Sequence, residues 1–574
     1  MDNLGNIRFI LIVAFCTLVF MLWQAWQLDY GPKPAMPMAE TAVPSVKEDL
    51  PVTSTGEASA QTPEEPAASS PNAENTAAAA AQTNLIHVKT DLLELDIDTK
   101  GGTIRNLDLL AYAQEKENTV VKKLRETVGL PPSEKNLSPV RLFNSDNNKL
   151  FIAESGILAG AGSAVAPSHH SMFTSAQNQY DLQDGQDDLI VNLSWTDNQG
   201  LTVNKTYTFK RGSYVINLDQ KIDNRTGKAW TGRQYTQLLR LPPAEENNNA
   251  FIRTYTGGAV YTQKDKFQKV DFDDMASKNL DQTSQGGWSG MIQHYFAAAW
   301  IPPGQEENHF YSKSLQDSRF VIGSYSPETS VADQSEAVLS TRLFAGPKIQ
   351  PMMETIAQGL ELTVDYSWLT FIAKYIYLLL EKIHGVVNNW ALAIIGVTLV
   401  IKLLFFKLSQ ASYKSMAKMR KIQPRLKELQ ERYADDRQRF NQEMMAMYKR
   451  EKVNPLGGCL PMLVQIPVFI SLYWVLVETV ELRQAPFMLW IQDLSAQDPF
   501  YILPILYGIS MKIQQSLNPT PVDPVQAKVT QMFPIVFTVF FLFFPAGLVL
   551  YWIVNNTLSI LQQWYITRSI EQAK

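Results

Sequence analysis

The chain has 574 residues and a formal net charge of −5, which argues against a nucleic-acid binder. Its only cysteines, Cys16 and Cys459, lie in or beside apolar runs, so they exclude a disulfide or metal framework. There is no Walker A loop, no GxGxxG and no nucleophile elbow. The mean hydropathy of −0.13 averages two different halves. Residues 31–350 are polar, whereas 365–566 are rich in Leu, Ile, Val, Phe, Tyr and Trp.

In chain order, residues 9–23, FILIVAFCTLVFMLW, follow Arg8 and precede Trp23 and Trp26 at an interface. Residues 1–28 read as an uncleaved signal-anchor span with its N-terminus in the cytoplasm; a cleaved signal is the alternative. Residues 29–84 are rich in Pro, Ala, Glu, Ser and Thr and predict a disordered external tether. Over 85–350 the pattern changes. LLELDID (92–98), DLIVNLSW (188–195), LTVNKTYTF (201–209) and SYVINLDQKI (213–222) alternate as strands and predict a large all-β sandwich. It reads as a folding and interaction domain rather than a sugar-processing enzyme. The pair His169-His170 sits in a Ser/Ala/Gly-rich stretch and reads as a solvated loop.

Residues 351–386 predict a linker and an amphipathic helix along the membrane surface, since Lys374, Glu381 and Lys382 interrupt its apolar face. Span two follows at 387–408, span three at 455–482 and span four at 499–517. The block 530–566 is too long for one crossing, and FPAG at 544–547 divides it into spans five and six. The segment 409–454 holds twelve Lys/Arg and six acids over 409–452, against one basic residue and three acids over 481–498. The first is therefore cytoplasmic and the external loop is 483–498. Residues 518–529 form a second cytoplasmic loop, 567–574 a short cytoplasmic tail, and both termini lie inside. The fold class is thus a polytopic α-helical membrane protein with a large external β domain.

The basic segment divides near Ala434-Asp435-Asp436 into two helices, an antiparallel cytoplasmic hairpin. Met416, Met419, Leu426 and Leu429 share one side of the first helix; Phe440, Met444 and Met447 share one side of the second. These side chains suit self-packing or soft contact with varied apolar sequences. The charge of the hairpin, including Lys414, Lys418 and Arg420, suits anionic lipids or ribosomal RNA.

One lysine stands inside the apolar run LVIKLLFF at 399–406. A charge at the middle of a span costs about 2.5–3.5 kcal/mol on insertion scales. Lys402 either snorkels to the inner interface or faces a wet cavity, with Thr398 one turn away. Gln465, Ser471, Ser510, Gln514, Asn555 and Asn556 add polar groups from other spans and predict a polar bundle interior. A cation with no clear acidic partner fits the reception of an acidic or polar peptide better than a proton relay.

YKSMAKMRKIQP (413–424), QEMMAMYKREKVNPLGGCLPMLVQIPVF (442–469), VELRQAPFMLWIQDLSAQDPFYILPIL (480–506) and FPAGLVLYWIVNN (544–556) closely resemble the YidC membrane protein insertase family. The preceding anchor, tether and β domain resemble its long Gram-negative form. The resemblance implies a five-span insertase core, six spans in all, and a periplasmic β-supersandwich similar in fold to sugar-mutarotase-like proteins. It implies insertion of nascent membrane proteins into the bacterial inner membrane, alone or with the Sec translocon, with ribosomes and anionic lipids as partners. It implies no small-molecule substrate, no cofactor, no metal and no catalytic residue. The family's hydrophilic groove opens to cytoplasm and lipid and carries a positive residue, arginine in most bacterial members; the matching position here is Lys402. The groove threonine maps to Thr398 and the aromatic pair of the last span to Tyr551 and Trp552, the second being tyrosine in relatives. Gln465, Ser510 and Asn555 complete the expected client-binding groove, and the long basic tail of some relatives is missing. A multi-span solute transporter with an external binding domain is the alternative, but internal repeats and intramembrane acid–base pairs are not seen.

Overall fold

The computed structural model describes residues 50–51, 85–128, 136–243, 254–433, 436–451, 460–518 and 524–572. The expected signal anchor and nearly all of the tether lie outside the described residues. So does the hairpin turn at 434–435.

The external segment forms two sheets, one of eleven strands and one of nine. Strict alternation builds them. In Leu201–Lys210 every second residue (Leu201, Val203, Lys205, Tyr207, Phe209) is buried, and the residues between are not. The neighbouring strand Val215–Asn224 pairs with it antiparallel, Leu218 opposite Tyr207, and buries Ile216, Leu218, Gln220 and Ile222. Trp230, Trp288 and Trp300 are each 1% exposed in the space between the sheets. Two short helices accompany them, α1 (Thr119–Val128) and α2 (Phe272–Ser277).

Lys205 is the odd member of that inward-facing row, with no exposure at all. Its ammonium donates to Gly101 O (2.6 Å), Ser155 O (2.9 Å) and Ser155 Oγ (3.0 Å), and lies 5.1 Å from the Phe173 ring. Gly101 can serve because its φ is +75° and because a Cβ there would come within 2.2 Å of the His169 carbonyl oxygen. The loop bearing His169 therefore packs against glycine backbone, and Gly101 N–H donates to Ser171 O at 2.7 Å. This corrects the expectation of a solvated His169-His170 loop. His169 is 4% exposed, and its Nδ1 lies 2.6 Å from Tyr235 Oη. The small residues that suggested an open loop are what let it pack closely.

The remaining helices are α3 (Gln350–Ile356), α4 (Thr370–Val387), α5 (Trp390–Leu404), α6 (Phe406–Arg432), α7 (Arg437–Arg450), α8 (Leu460–Glu478), α9 (Ile502–Ser516), α10 (Pro524–Phe541) and α11 (Ala546–Gln572). The division of the last apolar block at FPAG matches the break between α10 and α11. There Ala546 and Gly547 N–H groups donate to Ala496 O and Leu494 O, tying the turn to the 483–498 loop. Within the range expected for span two (387–408), helix α5 breaks at Phe405 and α6 departs at 67°. No Gly or Pro marks that break. Among the described residues no single helix is long and apolar enough to cross a membrane; the bent α5–α6 pair is, and Leu463–Glu478 and Ala527–Phe541 are shorter apolar helices.

Helix α4 buries Ala373, Ile376, Tyr377 and Leu380 against α5 and α8. It leaves Phe371 and Tyr375 exposed, beside Trp368 in the preceding turn. One apolar core runs from the sandwich through Met353, Leu360 and Tyr366 into α4, α5, α8, α9 and α11. The sandwich also grips the 483–498 loop. Lys116 Nζ donates to Gln484 O (2.7 Å), Asn118 Nδ2 to Trp490 O (2.9 Å), and Gln484 Nε2 to Ala113 O (2.7 Å).

Candidate functional site

Lys402 lies in the last turn of α5, 9% exposed, and turns into the bundle. Its Nζ donates to Ser559 Oγ on α11 at 2.7 Å. Ser559 Oγ in turn donates to Asn555 O at 2.7 Å, so the hydroxyl is held as an acceptor toward the ammonium. No carboxylate pairs with Lys402 among the described residues. An ammonium has three N–H groups, and one is engaged by a protein acceptor among the described residues.

Two strands of polar chemistry approach this cation. Thr398, 1% exposed, faces inward one turn before Lys402, but its hydroxyl donates to Ile394 O of its own helix (2.7 Å). Along α11, Asn555, Asn556, Ser559 and Gln563 recur at helical spacing. Asn556 Nδ2 donates to Ser510 Oγ of α9 (3.3 Å), and Gln563 Nε2 donates to Leu517 O (3.0 Å). Ser510 is thereby joined to the same stripe. Asn555 is half-buried beside it, its carbonyl already holding Ser559. Gln465 is half-buried on α8, and no hydrogen bond brings it to Lys402. Ser559, the immediate partner of the cation, was missed in the sequence. The i, i+3/i+4, i+7 recurrence of polar residues after Trp552 was the signal that pointed to it.

One to two turns outward the site becomes aromatic. The Trp552 ring lies 4.4 Å from Phe469 of α8, 5.8 Å from Phe541 of α10 and 6.1 Å from Tyr507 of α9. Tyr551 is 6% exposed and stacks loosely on Phe469. Trp552 Nε1 is buried, and no acceptor meets it among the described residues. The arrangement is a cation and hydroxyls at one level and an aromatic cluster with a free indole N–H at the next.

The helical part, residues 382–573, matches the family described as 60Kd inner membrane protein, and residues 85–129 and 130–379 match the YidC periplasmic domain. The Methylococcus capsulatus membrane protein insertase YidC is 55% identical over 570 residues, 99% of each chain. The chain belongs to the YidC membrane protein insertase family. The Nitrosococcus oceani membrane protein insertase YidC is 48% identical over 571 residues, again 99% of each chain. Overlaps with solved structures are loose. An active YidC insertase covers 85% of this chain and 93% of its own, at TM-score 0.39 and 16% identity. A galactose mutarotase related enzyme from Lactobacillus acidophilus covers 46% of this chain and 97% of its own, at TM-score 0.28 and 7% identity. Family membership accounts for the all-β periplasmic sandwich joined to an inner-membrane helical core.

The basic segment of this family member folds as two helices packed on each other. Ile422 and Leu426 of α6 meet Met444, Met447 and Tyr448 of α7, flanked by Met419, Leu429 and Phe440. Self-packing thus occupies Met419, Met444 and Met447. Met416 lies outside that cluster and is half-buried, and Lys414, Lys418 and Arg420 are exposed. Arg420 NH2 donates to Ser516 O at the end of α9 (2.6 Å), which fixes the base of the pair against the bundle.

Proposed function

We propose that this member of the insertase family passes membrane proteins into the inner membrane through a polar groove built around Lys402. In this reading six spans cross the membrane, both termini are cytoplasmic, the sandwich is periplasmic and the α6–α7 hairpin stands in the cytoplasm. The observation that carries it is the state of Lys402, a buried cation with one hydroxyl acceptor and no carboxylate among the described residues. A buried charge without a counter-ion is expensive. An acidic or polar client segment entering from the cytoplasm supplies the missing acceptors. Simple charge attraction suffices; lysine lacks the planar bidentate fork of arginine, so paired hydrogen bonds to one carboxylate are not required.

The client's polar segment must otherwise cross hydrocarbon with its backbone unsatisfied. A groove reaching part-way across shortens that dry path. Ser559, Ser510, Asn555, Asn556 and Thr398 border it, with Gln465 on the facing helix. Trp552 Nε1–H and the ring of Tyr551 meet the client where it turns apolar. Its hydrophobic segment then leaves between α5 and α11 into lipid, driven by its own burial. The exposed Leu403, Leu404, Ile535 and Val536 supply the lipid-facing surface. The exposed basic side chains Lys414, Lys418 and Arg420 take anionic headgroups or ribosome-bound nascent chains, and the Sec translocon is a partner for larger clients.

The test is insertion of a client with an acidic external segment by the full-length protein in proteoliposomes. Lys402→Arg is expected to retain the rate. Lys402→Leu is expected to lower it about tenfold, the size of a charge contact of roughly 1.4 kcal/mol, and Lys402→Glu further. Normal insertion by Lys402→Leu would sink the groove-charge reading.

A further inference from the structure

The outer end of α8 is fastened to the sandwich by an unusually dry joint. Glu478, the last residue of α8, pairs with Lys348 at 3.0 Å, and the two side chains are 3% and 2% exposed. Lys348 directly follows the strand Ser335–Pro347, and its Nζ also donates to Thr363 O at 3.2 Å. One residue earlier on α8, the carbonyl of Val477 accepts from His294 Nε2 at 3.0 Å. Burial and the nearby Lys348 cation push His294 down to about 3, so it stays neutral and Nε2 keeps its proton for that bond. The Lys348 N–H donates to Tyr295 O, which locks the two sandwich contributions to each other. Three separate chain segments (the end of the long strand, the 360–363 turn and the 294–295 turn) therefore converge on the last two residues of one helix.

The same helix carries Phe469, whose ring meets Trp552 at 4.4 Å. Nine residues separate Phe469 from Glu478, about 13 Å along a helix axis. A tilt of α8 by about 10° about its outer end would move Phe469 by roughly 2 Å at that length, enough to part it from Trp552. Pro467 lies just inward of Phe469 and interrupts the helix ladder, so the inner half does not brace that ring rigidly.

We propose that Lys348 and Glu478 are positioning residues for the client site: their buried pair fixes the tilt of α8 and so holds Phe469 against Trp552. The inference rests on the client reading above only in taking the Trp552 cluster as the place where clients pass. A buried ion pair adds little net stability compared with apolar side chains of the same size, but losing one partner strands the other charge. Its value is orientation, since only one placement of α8 satisfies Lys348, Thr363 and His294 together.

The experiment uses the full-length protein in proteoliposomes, with Cys16→Ser and Cys459→Ser, and spin labels on Ile466→Cys of α8 and Thr557→Cys of α11. Lys348→Met and Glu478→Gln are each expected to broaden the distance distribution and to slow client insertion about tenfold, as one stranded buried charge would. The double variant Lys348→Met/Glu478→Leu is expected to recover the narrow distribution and a rate within about twofold, the non-additivity of a coupled pair. Restoration is the outcome that a merely structural role of either residue does not give. Single variants with an unchanged distribution, or a double variant as broad as the worse single, would overturn the proposal. If a single variant does not accumulate, the double variant alone decides: narrow supports and broad refutes. Lys402→Leu is expected to slow insertion without changing the distance, so a failure of the groove reading and a failure of this one leave different records.

Discussion

The sandwich and the helical bundle each bury a lysine, and they surround it differently. Lys205 has no exposure and three oxygen acceptors within 3.0 Å, all drawn from Gly101 and Ser155. Lys402 is 9% exposed and has one acceptor, a serine hydroxyl, among the described residues. Neither meets a carboxylate among the described residues. The first is a closed arrangement in which every N–H of the ammonium is matched and the lysine is part of the core. The second leaves capacity for another molecule's oxygen atoms. Burial of a cation therefore does not by itself mark function; what separates these two lysines is the count of donors left unmatched among the described residues. Lys348, paired with Glu478, is a third solution, in which the counter-charge comes from the other region of the molecule.

The largest expected effect tests which region does the work. Removing residues 411–450 takes away the hairpin and the Arg420 tie to Ser516, and insertion is expected to fall by more than about tenfold, one charge contact's worth or greater. Removing much of 90–330 takes away Lys205, the grip of Ala113–Asn118 on the 483–498 loop and the His294 tie to Val477, yet leaves the Lys348–Glu478 pair itself. It is expected to reduce insertion less than the hairpin deletion, within about twofold to fivefold, as the loss of peripheral hydrogen bonds would. Client insertion in depleted cells or vesicles measures both, and the reverse order would mean that the sandwich carries the activity.

Next comes stability. Lys205→Met leaves two carbonyls and a hydroxyl without their donor in a dry core, and is expected to destabilise the sandwich by about 2–4 kcal/mol. Lys402→Met removes a charge that has one partner, and is expected to change stability by less than about 1 kcal/mol or to raise it. Thermal melting followed by the fluorescence of Trp230, Trp288 and Trp300 reads the first, and proteolysis of the bundle the second. A strongly destabilised Lys402→Met with an unaffected Lys205→Met would invert the comparison.

Much of this contrast was legible in the sequence, but unevenly. Alternation in LTVNKTYTF (201–209) announced a strand, but the burial of Lys205 went unread, and nothing in the alternation names acceptors contributed from Gly101 and Ser155. Long-range partners of this kind depend on how two sheets meet. The Ser/Ala/Gly composition around His169 suggested an open loop, because composition does not distinguish a loop free in water from one packed on glycine backbone. In the bundle, Lys402 stood out as a charge in an apolar run, and FPAG as a turn between two helices. The bend at Phe405 was not readable, since it has no Gly or Pro behind it. Ser559 was readable in principle from the polar recurrence along α11. Gln465 shared the polarity of the groove residues, but polarity alone does not fix helix rotation, and no hydrogen bond joins it to Lys402 among the described residues. The joint at Lys348 and Glu478 was invisible, because the two residues are 130 positions apart.

The smallest effect is also the most specific to Lys205. Burial pushes it down to about 7, while its three acceptors favour keeping the proton. In the unfolded chain a lysine holds its proton to about 10.4. Between those two values the unfolded state binds more protons than the folded one, so stability rises with pH across that window and levels off on either side. The slope is at most about 1.4 kcal/mol per pH unit. Urea melts of the full-length protein at pH 6.5, 7.5 and 8.5 are expected to show a rising midpoint, and Lys205→Met a flat one at lower stability. His294, held neutral in the folded protein but free to take a proton in the unfolded chain, adds a smaller rise that ends near pH 7.5 in both chains, so the comparison is read between pH 7.5 and 8.5. A rising midpoint that survives Lys205→Met would assign the slope to another group. If the slope survives undiminished, the three acceptors hold the Lys205 proton fully, and the contrast with Lys402 is sharper, because the sandwich then keeps a charge matched at every N–H where Lys402 has one acceptor among the described residues.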